Sequence, residues 1–257
     1  MNFDRLSASA IKMYLQCPYQ FHLKYHMMLP ELAAPHPLTL MGSAVHHMFE
    51  KATKAYLTKQ GSINPMDYKA EACKEYHVEE HLLTLIDQLV ANAIAWGYFR
   101  NIDKTAGCEL DLNFKLSDGT AVKGIVDRLD LYDDTADIID LKTQQNLFTA
   151  EELLDNWQAK IYNIAVRKTY SQVVNKLNVS FWVIRHQVQK VIMSVEDAVR
   201  DEAKLLNIAM EIRSCVEPKP KPSALCKWCQ WSGHCPMAGA NVKTKLQNKM
   251  KGTVVFK

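Results

Sequence analysis

The stretch "GIVDRLDLYDDTADIIDLKT", residues 124–143, decides how the rest of the chain is read. Apolar and polar residues alternate in it, and β-branched side chains recur, which is the period of two that a half-buried strand requires. Asp133 and Asp134 interrupt the pattern and supply a turn, so the stretch reads as the facing halves of an antiparallel hairpin. A turn centred between those two residues sets Asp127 opposite Asp140 on one face. Directly opposed Cβ atoms lie roughly 4.5–5.5 Å apart. Two carboxylates that close repel unless a cation lies between them or one retains a proton. Lys142 shares the face of Asp140, because side chains two apart on a strand point the same way. Two readings follow. In one, a hard divalent ion such as Mg²⁺ joins the acids, and the ammonium orients or deprotonates water or steadies phosphoryl charge. In the other, Asp127 pairs with Arg128 or Lys142 in a structural salt bridge.

Outward from the hairpin, "CELDLNFKL" (108–116), with "SDGT" as its turn, runs into "AVKGIVDRLDLY" (121–132) and completes a three-strand antiparallel meander. The segment "EELLDNWQAKIYNIAVRKTY" (151–170) returns to helical spacing, with Leu154, Trp157, Ile161 and Ile164 or Ala165 on one face. "LNVSFWVIRH" and "QKVIMSV" read as strands, and "EDAVRDEAKLLNIAMEIRS" (196–214) as a helix. Upstream, Ser7 or Ser9 can cap a helix running to about Tyr25. The Pro-rich loop "LPELAAPHPLTL" (29–40) leads to a helix from about Thr39 to Leu57. "SINPMDY" breaks that helix, and Tyr68 to Tyr98 reads as one long helix or two. The order of elements predicts an α/β fold, a central mixed β-sheet flanked by helices.

The chain has 257 residues, 48% hydrophobic and 23% charged, which is a globular composition able to bury a core. No apolar run is long enough to span a bilayer, and the N-terminus lacks a basic segment followed by an apolar one, so the expected setting is cytoplasmic with no membrane partner. The net charge of +3 does not announce a nucleic-acid binder, although it is compatible with a local basic groove. Seven cysteines, an odd number, point to metal binding or buried free thiols rather than a disulfide framework.

Asp127, then Asp140-Leu141-Lys142, resembles the bipartite D…(D/E)-x-K signature of the PD-(D/E)XK nucleases. "GSAVHHMFE" (42–50) is similar to the G-x-x-x-H motif of the RecB-like branch, which implies that His46 is a metal ligand; His47 points about a quarter-turn away and reads as solvated or packed. "QAKIY" puts Gln158 and Tyr162 four apart on one helical face and resembles the Q-x-x-x-Y motif that lies beside the scissile phosphate. "CKWCQWSGHC" supplies Cys226, Cys229 and Cys235, and "CPYQF" supplies Cys17. One early and three late cysteines around the core, with the opening "SASAIKMYLQCPYQFHLKY", resemble the iron–sulfur exonucleases of the AddB and CRISPR-adaptation type. Taken without the resemblance, four thiolates suit zinc about as well as a [4Fe–4S] cluster. Cys73 and Cys108 read as buried or half-buried free thiols, and Cys215 falls outside the cluster.

The resemblance implies a single nuclease domain over 1–257 with a restriction-endonuclease-like core. Residues 1–30 and 215–240 would form an iron–sulfur staple, 38–105 a helical insert carrying His46, and 106–214 the nuclease core. It implies a deoxyribonuclease dependent on Mg²⁺ or Mn²⁺, an exonuclease on single-stranded or frayed DNA ends, acting in recombination, repair or CRISPR spacer acquisition. His46, Asp127, Asp140, the Leu141 carbonyl and Glu109, the acid leading the first strand, would hold the metal. Lys142 would position or activate water, with Gln158 and Tyr162 orienting phosphate and water. Arg128, Lys160 and Arg185 are the expected DNA-backbone contacts, Trp228 and Trp231 candidates for base stacking, and Trp157 a core residue. The basic tail 241–257 is either a phosphate contact or a solvated end. Two alternatives stand beside this reading. One is a DNA-end-binding nuclease subunit working only with recombination or CRISPR-adaptation proteins, any motor being another chain since no G-x-x-x-x-G-K-[ST] occurs. The other is a zinc-stapled RNA-binding protein.

Overall fold

The hairpin forms with the expected register: Arg128 lies opposite Ile139, Leu129 opposite Ile138 and Asp130 opposite Asp137. The Tyr132 N–H donates to the Thr135 carbonyl at 2.8 Å and closes the turn around Asp133 and Asp134. The structure is a computed structural model describing residues 1, 3–31, 33–170 and 175–237. By its contacts the chain divides into two compact units, residues 1–34 with those from 207 onward, and residues 35–206.

The smaller unit begins with a two-residue strand, β1 (Arg5–Leu6), and the helix α1 (Ala8–Gln16). Ser7 caps α1 by accepting from the Ala10 N–H at 3.3 Å. The helix expected to run to Tyr25 stops at Cys17, whose backbone is extended (φ −159°, ψ 104°). Pro18 explains the stop, because a residue before proline is driven out of the helical region. A short α2 (Pro18–Phe21) and a π-helical turn (His22–His26) follow. The buried residues of this unit include Leu6, Ile11, Tyr14, Phe21, Ile212 and Trp231.

The larger unit opens with α3 (Pro37–Thr58), capped by the His36 imidazole, which accepts from the Leu38 N–H at 3.2 Å. The Tyr68–Tyr98 segment resolves into α4 (Lys69–Glu75) and α5 (Leu83–Ala95). Its apolar faces join α3 in a core that includes Met41, Val45, Phe49, Ile86 and Leu89 and reaches Ile139 and Leu141 of the sheet. The strands are β2 (Thr105–Asp111), β3 (Phe114–Lys115), β4 (Ala121–Val122), β5 (Ile125–Leu131) and β6 (Thr135–Lys142). The meander is therefore interrupted: β3 and β4 make a small hairpin around the Asp118–Gly119 turn, and β2 pairs directly with β5. Gly119 supplies the positive φ (+83°) that turn needs.

Beyond β6, the single helix expected over 151–170 is two, α6 (Ala150–Leu154) and α7 (Trp157–Thr169). Asn156 breaks them apart by capping α7, accepting from the Gln158 and Ala159 N–H groups at 2.9 and 3.2 Å. Leu154 consequently leaves the apolar face and is 72% exposed. The chain then forms β7 (Lys176–Val183), β8 (Gln187–Met193) and α8 (Val195–Ser214), which ends in the smaller unit. The five-stranded sheet runs β2-β5-β6-β7-β8, antiparallel except for the parallel β6–β7 pair that α7 bridges. This is the mixed sheet flanked by helices that the pattern of elements implied. The parallel step brings α7 back across the sheet, and that crossover is what carries Gln158 and Tyr162 to the C-terminal end of β6.

Candidate active site and cysteine cluster

β5 and β6 present Asp127 and Asp140 from neighbouring strands, as opposed positions must. The Leu141 N–H donates to Asp127 Oδ2 at 2.7 Å. His46 Nδ1 lies 3.3 Å from the same oxygen. His46 reaches it because α3 runs very close to the end of β6: a Cβ on Gly42 would stand 2.8 Å from Thr143 Oγ1. A side chain at the glycine one turn before the histidine would therefore displace the Thr143 hydroxyl, which gives the G-x-x-x-H spacing a local packing reason. Glu109 enters from β2, between the Cys108–Arg128 and Leu110–Val126 pairs, which places it across from Asp127. Its φ of +48° lies in the left-handed region, an uncommon conformation for a glutamate within a strand. One ligand atom each from His46, Glu109 and Asp127 falls within 4.8 Å of the others.

Asp140 is held from the other side. Its Oδ1 accepts from Gln158 Nε2 at 2.8 Å and from the Tyr162 hydroxyl at 2.9 Å. Lys142 Nζ lies 2.5 Å from Oδ2 and donates to Gln158 Oε1 at 3.0 Å. The buried Oδ2 nevertheless has no hydrogen bond of acceptable direction, so the lysine neutralises it in distance without saturating it. Asp127, Asp140, Lys142, Gln158 and Tyr162, together with His46 and Glu109, therefore form one connected group. It borders a cavity of about 650 Å³ whose lining also includes Glu50, Leu141 and Gln144.

Burial alone would raise Asp127, but His46 and then Lys142 outweigh it and lower it, whereas the neighbouring groups are pushed up. Burial pushes the Glu109 carboxyl up, and Asp127 beside it adds to the effect, to about 7. Burial likewise lifts Asp140, against Lys142 and with Asp127. At His46, burial alone would lower the pKa, but Asp127 and then Asp140 outweigh it and raise it to about 9. A site in which Glu109, Asp140 and the imidazole are all raised, with Asp127 kept ionised by its cationic neighbours, is one that gains from an added positive charge, whether a proton or a metal ion. Donor type fits as well, since carboxylate oxygens with one imidazole suit Mg²⁺ or, better, Mn²⁺.

Some expected residues take other places. Arg128 is not a DNA contact: its side chain is fully buried, and it donates to Asp130 through Nε (2.8 Å) and Nη2 (2.7 Å) and to the Tyr98 and Arg100 carbonyls. Lys160 is likewise buried, paired with Asp155 and lying over the Trp157 ring at 4.8 Å, and is unavailable to a phosphate. Trp231 does not stack bases, because it is buried with its indole N–H on the Leu29 carbonyl at 3.1 Å. Trp228 is 73% exposed. Arg185 is half-buried, with Nε on the Thr143 carbonyl at 2.7 Å and a buried Nη2 that lacks a hydrogen bond, beside a smaller cavity that shares Gln145 with the first. The basic tail lies outside the described residues. Glu50 was not anticipated, although it is four residues after His46 and so on the same helical face.

In the smaller unit, three of the four cysteine sulfurs meet a backbone N–H. Lys221 donates to Cys17 Sγ at 3.4 Å and Ser223 to Cys226 Sγ at 3.2 Å. Burial pushes the Cys229 thiol up, the Trp231 N–H opposes that, and Cys17, Cys235 and Cys226 are near enough to add repulsion. Backbone donors aimed at sulfur stabilise thiolates, which is the ligand form. Among the described residues no three of these sulfurs lie within 4.8 Å of one another. A tetrahedral zinc site would draw them to roughly 3.8 Å. Cys73 and Cys215 are half-buried thiols and Cys108 a buried one.

The model of the PD-(D/E)XK nuclease superfamily matches residues 5–236. A protein from Eubacterium rectale, provisionally named an exonuclease, has a similar fold, with a TM-score of 0.54, 15% identity, and 88% of this chain and 87% of that chain covered. A second solved structure, SSO0001, covers 89% of this chain and 95% of its own at 14% identity, but its TM-score of 0.37 carries no argument. No curated protein matches. Among the described residues no helix is long and apolar enough to cross a membrane. The chain belongs to the PD-(D/E)XK nuclease superfamily.

Proposed function

From that membership we propose that the chain is a divalent-metal-dependent deoxyribonuclease, an exonuclease acting on single-stranded or frayed DNA ends. The observation that carries the reading is the convergence of Asp127, Lys142, His46 and Glu109 on one cavity, with buried Asp140 directly behind Lys142. His46, Asp127, Asp140 and Glu109, with the Leu141 carbonyl, would hold Mg²⁺ or Mn²⁺. When bound, such an ion neutralises developing phosphoryl charge and lowers the pKa of water.

The chain's own residues supply the rest. Lys142 borders the cavity with its Nζ anchored by Asp140 and Gln158, so as an ammonium it can orient a nucleophilic water by donating to it, and only as the neutral amine could it take that water's proton. Gln158 bridges Lys142, Asp140 and Tyr162 and so fixes their geometry. The Tyr162 hydroxyl is spent on Asp140 and on the Ile125 carbonyl at 2.7 Å, and burial raises its pKa well above the ordinary value, so it acts as a neutral positioning group. Arg185, beside the second cavity, is the cation suited to a neighbouring phosphate. Cys17, Cys226, Cys229 and Cys235 would hold a [4Fe–4S] cluster that ties the early helices to the late loop.

End-labelled single- and double-stranded DNA, incubated with Mg²⁺, Mn²⁺ or EDTA, tests the activity. Progressive shortening with either metal and none in EDTA is expected. Cleavage that survives EDTA, or none with either metal, would overturn the reading. Purification without air tests the cluster: a brown protein with broad visible absorption supports it, and a colourless one with stoichiometric zinc refutes it.

A further inference from the structure

The helix that carries His46 also carries His47, and the nuclease reading gives the second imidazole nothing to do. Its side chain is 10% exposed. Both ring nitrogens face acids on α4: Nε2 lies 3.6 Å from Glu71 Oε1, and Nδ1 lies 3.7 Å from Glu75 Oε2. Neither distance makes a hydrogen bond, and the buried Nε2 has no hydrogen-bond partner at all. Each ring nitrogen thus meets one carboxylate only at ion-pair distance, and a buried nitrogen without a hydrogen bond is costly.

Glu71 and Glu75 are four apart and therefore project from one face of α4. Both are about half exposed, so an ion could enter from solvent. One ligand atom from each of His47, Glu71 and Glu75 lies within 4.8 Å of the others. Ligands sharing one ion at about 2.1 Å stand roughly 3.0–3.4 Å apart, so a small inward shift of the glutamates completes the set. The Tyr76 ring packs edge-on against His47 at 5.8 Å and limits its rotation.

We propose that His47, Glu71 and Glu75 form a second cation site, separate from the nuclease centre, for a divalent first-row transition ion with water filling its open positions. The imidazole favours such an ion over Mg²⁺ or Ca²⁺, as it favours Mn²⁺ over Mg²⁺ at His46. Loading it would pin α4 to α3, the helix that also positions His46. His47 and Tyr76 line the wall of the main cavity, so the site braces that wall. Lys51, whose Nζ lies 3.2 Å from Glu71 Oε1, is the internal competitor.

Mn²⁺ binding, followed by the loss of the free-ion electron paramagnetic resonance signal, tests this on the full chain. Mn²⁺ is hard enough to leave the cysteines alone. Asp127→Ala removes the nuclease centre, and the variant is expected to keep about one Mn²⁺ per chain. Adding Glu71→Gln and Glu75→Gln should abolish that binding. Both glutamates are surface residues, so circular dichroism is expected to show an unaltered fold. Lys51→Met should tighten the retained site by about fivefold. An isotherm unchanged by the two glutamate substitutions, or no Mn²⁺ bound by Asp127→Ala, would overturn the proposal. If the parent binds one ion and only the glutamate substitutions remove it, this site stands and the metal assignment at Asp127 falls.

Discussion

Two ends of one strand carry acids with opposite fates. At the far end of β5, Asp130 is answered entirely from within: Arg128 grips both its oxygens and Thr105 adds a hydroxyl at 2.7 Å. At the near end, Asp127 faces Glu109 and Asp140, and these acids receive neutral donors from Leu141, Gln158 and Tyr162 but ion pairs from His46 and Lys142 alone among the described residues. Burial lifts Asp130 and Asp140 alike, so titration does not separate them; the supply of partners does. A complete internal ion pair is structure, whereas a cluster of acids with too few cations is a place for something from outside.

The contrast breaks most heavily at Arg128. Arg128→Leu leaves Asp130 buried and uncompensated and should cost about 3–5 kcal/mol in urea unfolding, largely recovered by adding Asp130→Leu. Asp140→Asn, at the other end, should cost under about 1 kcal/mol in EDTA, because burial already disfavours that charge. Glu109→Gln goes further. With Glu109 raised to about 7, its ionised form weakens the metal-free fold, so the neutral isostere should stabilise it by about 1–3 kcal/mol at pH 8. Mn²⁺ should reverse that ranking if Glu109 is the ligand we propose, because the neutral amide binds a divalent ion far more weakly than the carboxylate.

The pH dependence sharpens the same point. His46 is raised from 6.5 to about 9, so its contribution is fully present below pH 6.5 and lost as pH climbs through 9. Glu109 is raised from 4.5 to about 7, and its contribution is lost between those values. Metal-free stability should therefore fall by about 2–6 kcal/mol from pH 5 to pH 9, and Mn²⁺ should flatten the decline. Smallest is Arg185→Ala, expected to raise KM for DNA about three- to tenfold with little change in kcat and a shallower salt dependence.

Much of this was legible because strand geometry is rigid. The turn at Asp133–Asp134 fixed the register, and the register fixed the Asp127–Asp140 pairing. The same period of two places Arg128 and Asp130 on the opposite face from Asp127, which is why Arg128 serves the core rather than DNA. The Asn156 cap overrode a continuous apolar stripe and sent Leu154 to solvent, a local hydrogen bond outweighing periodicity. The close approach of Gly42 to Thr143 and the left-handed backbone of Glu109 depend on contacts distant in sequence, which no window of the chain contains.

The most direct test is cleavage of end-labelled DNA in Mn²⁺ by the parent and by Asp140→Asn of verified fold. A loss of roughly 10³-fold in rate with stability nearly unchanged is the expected result. Cleavage by Asp140→Asn at the parent's rate would contradict the assignment of this acid cluster as the reaction centre.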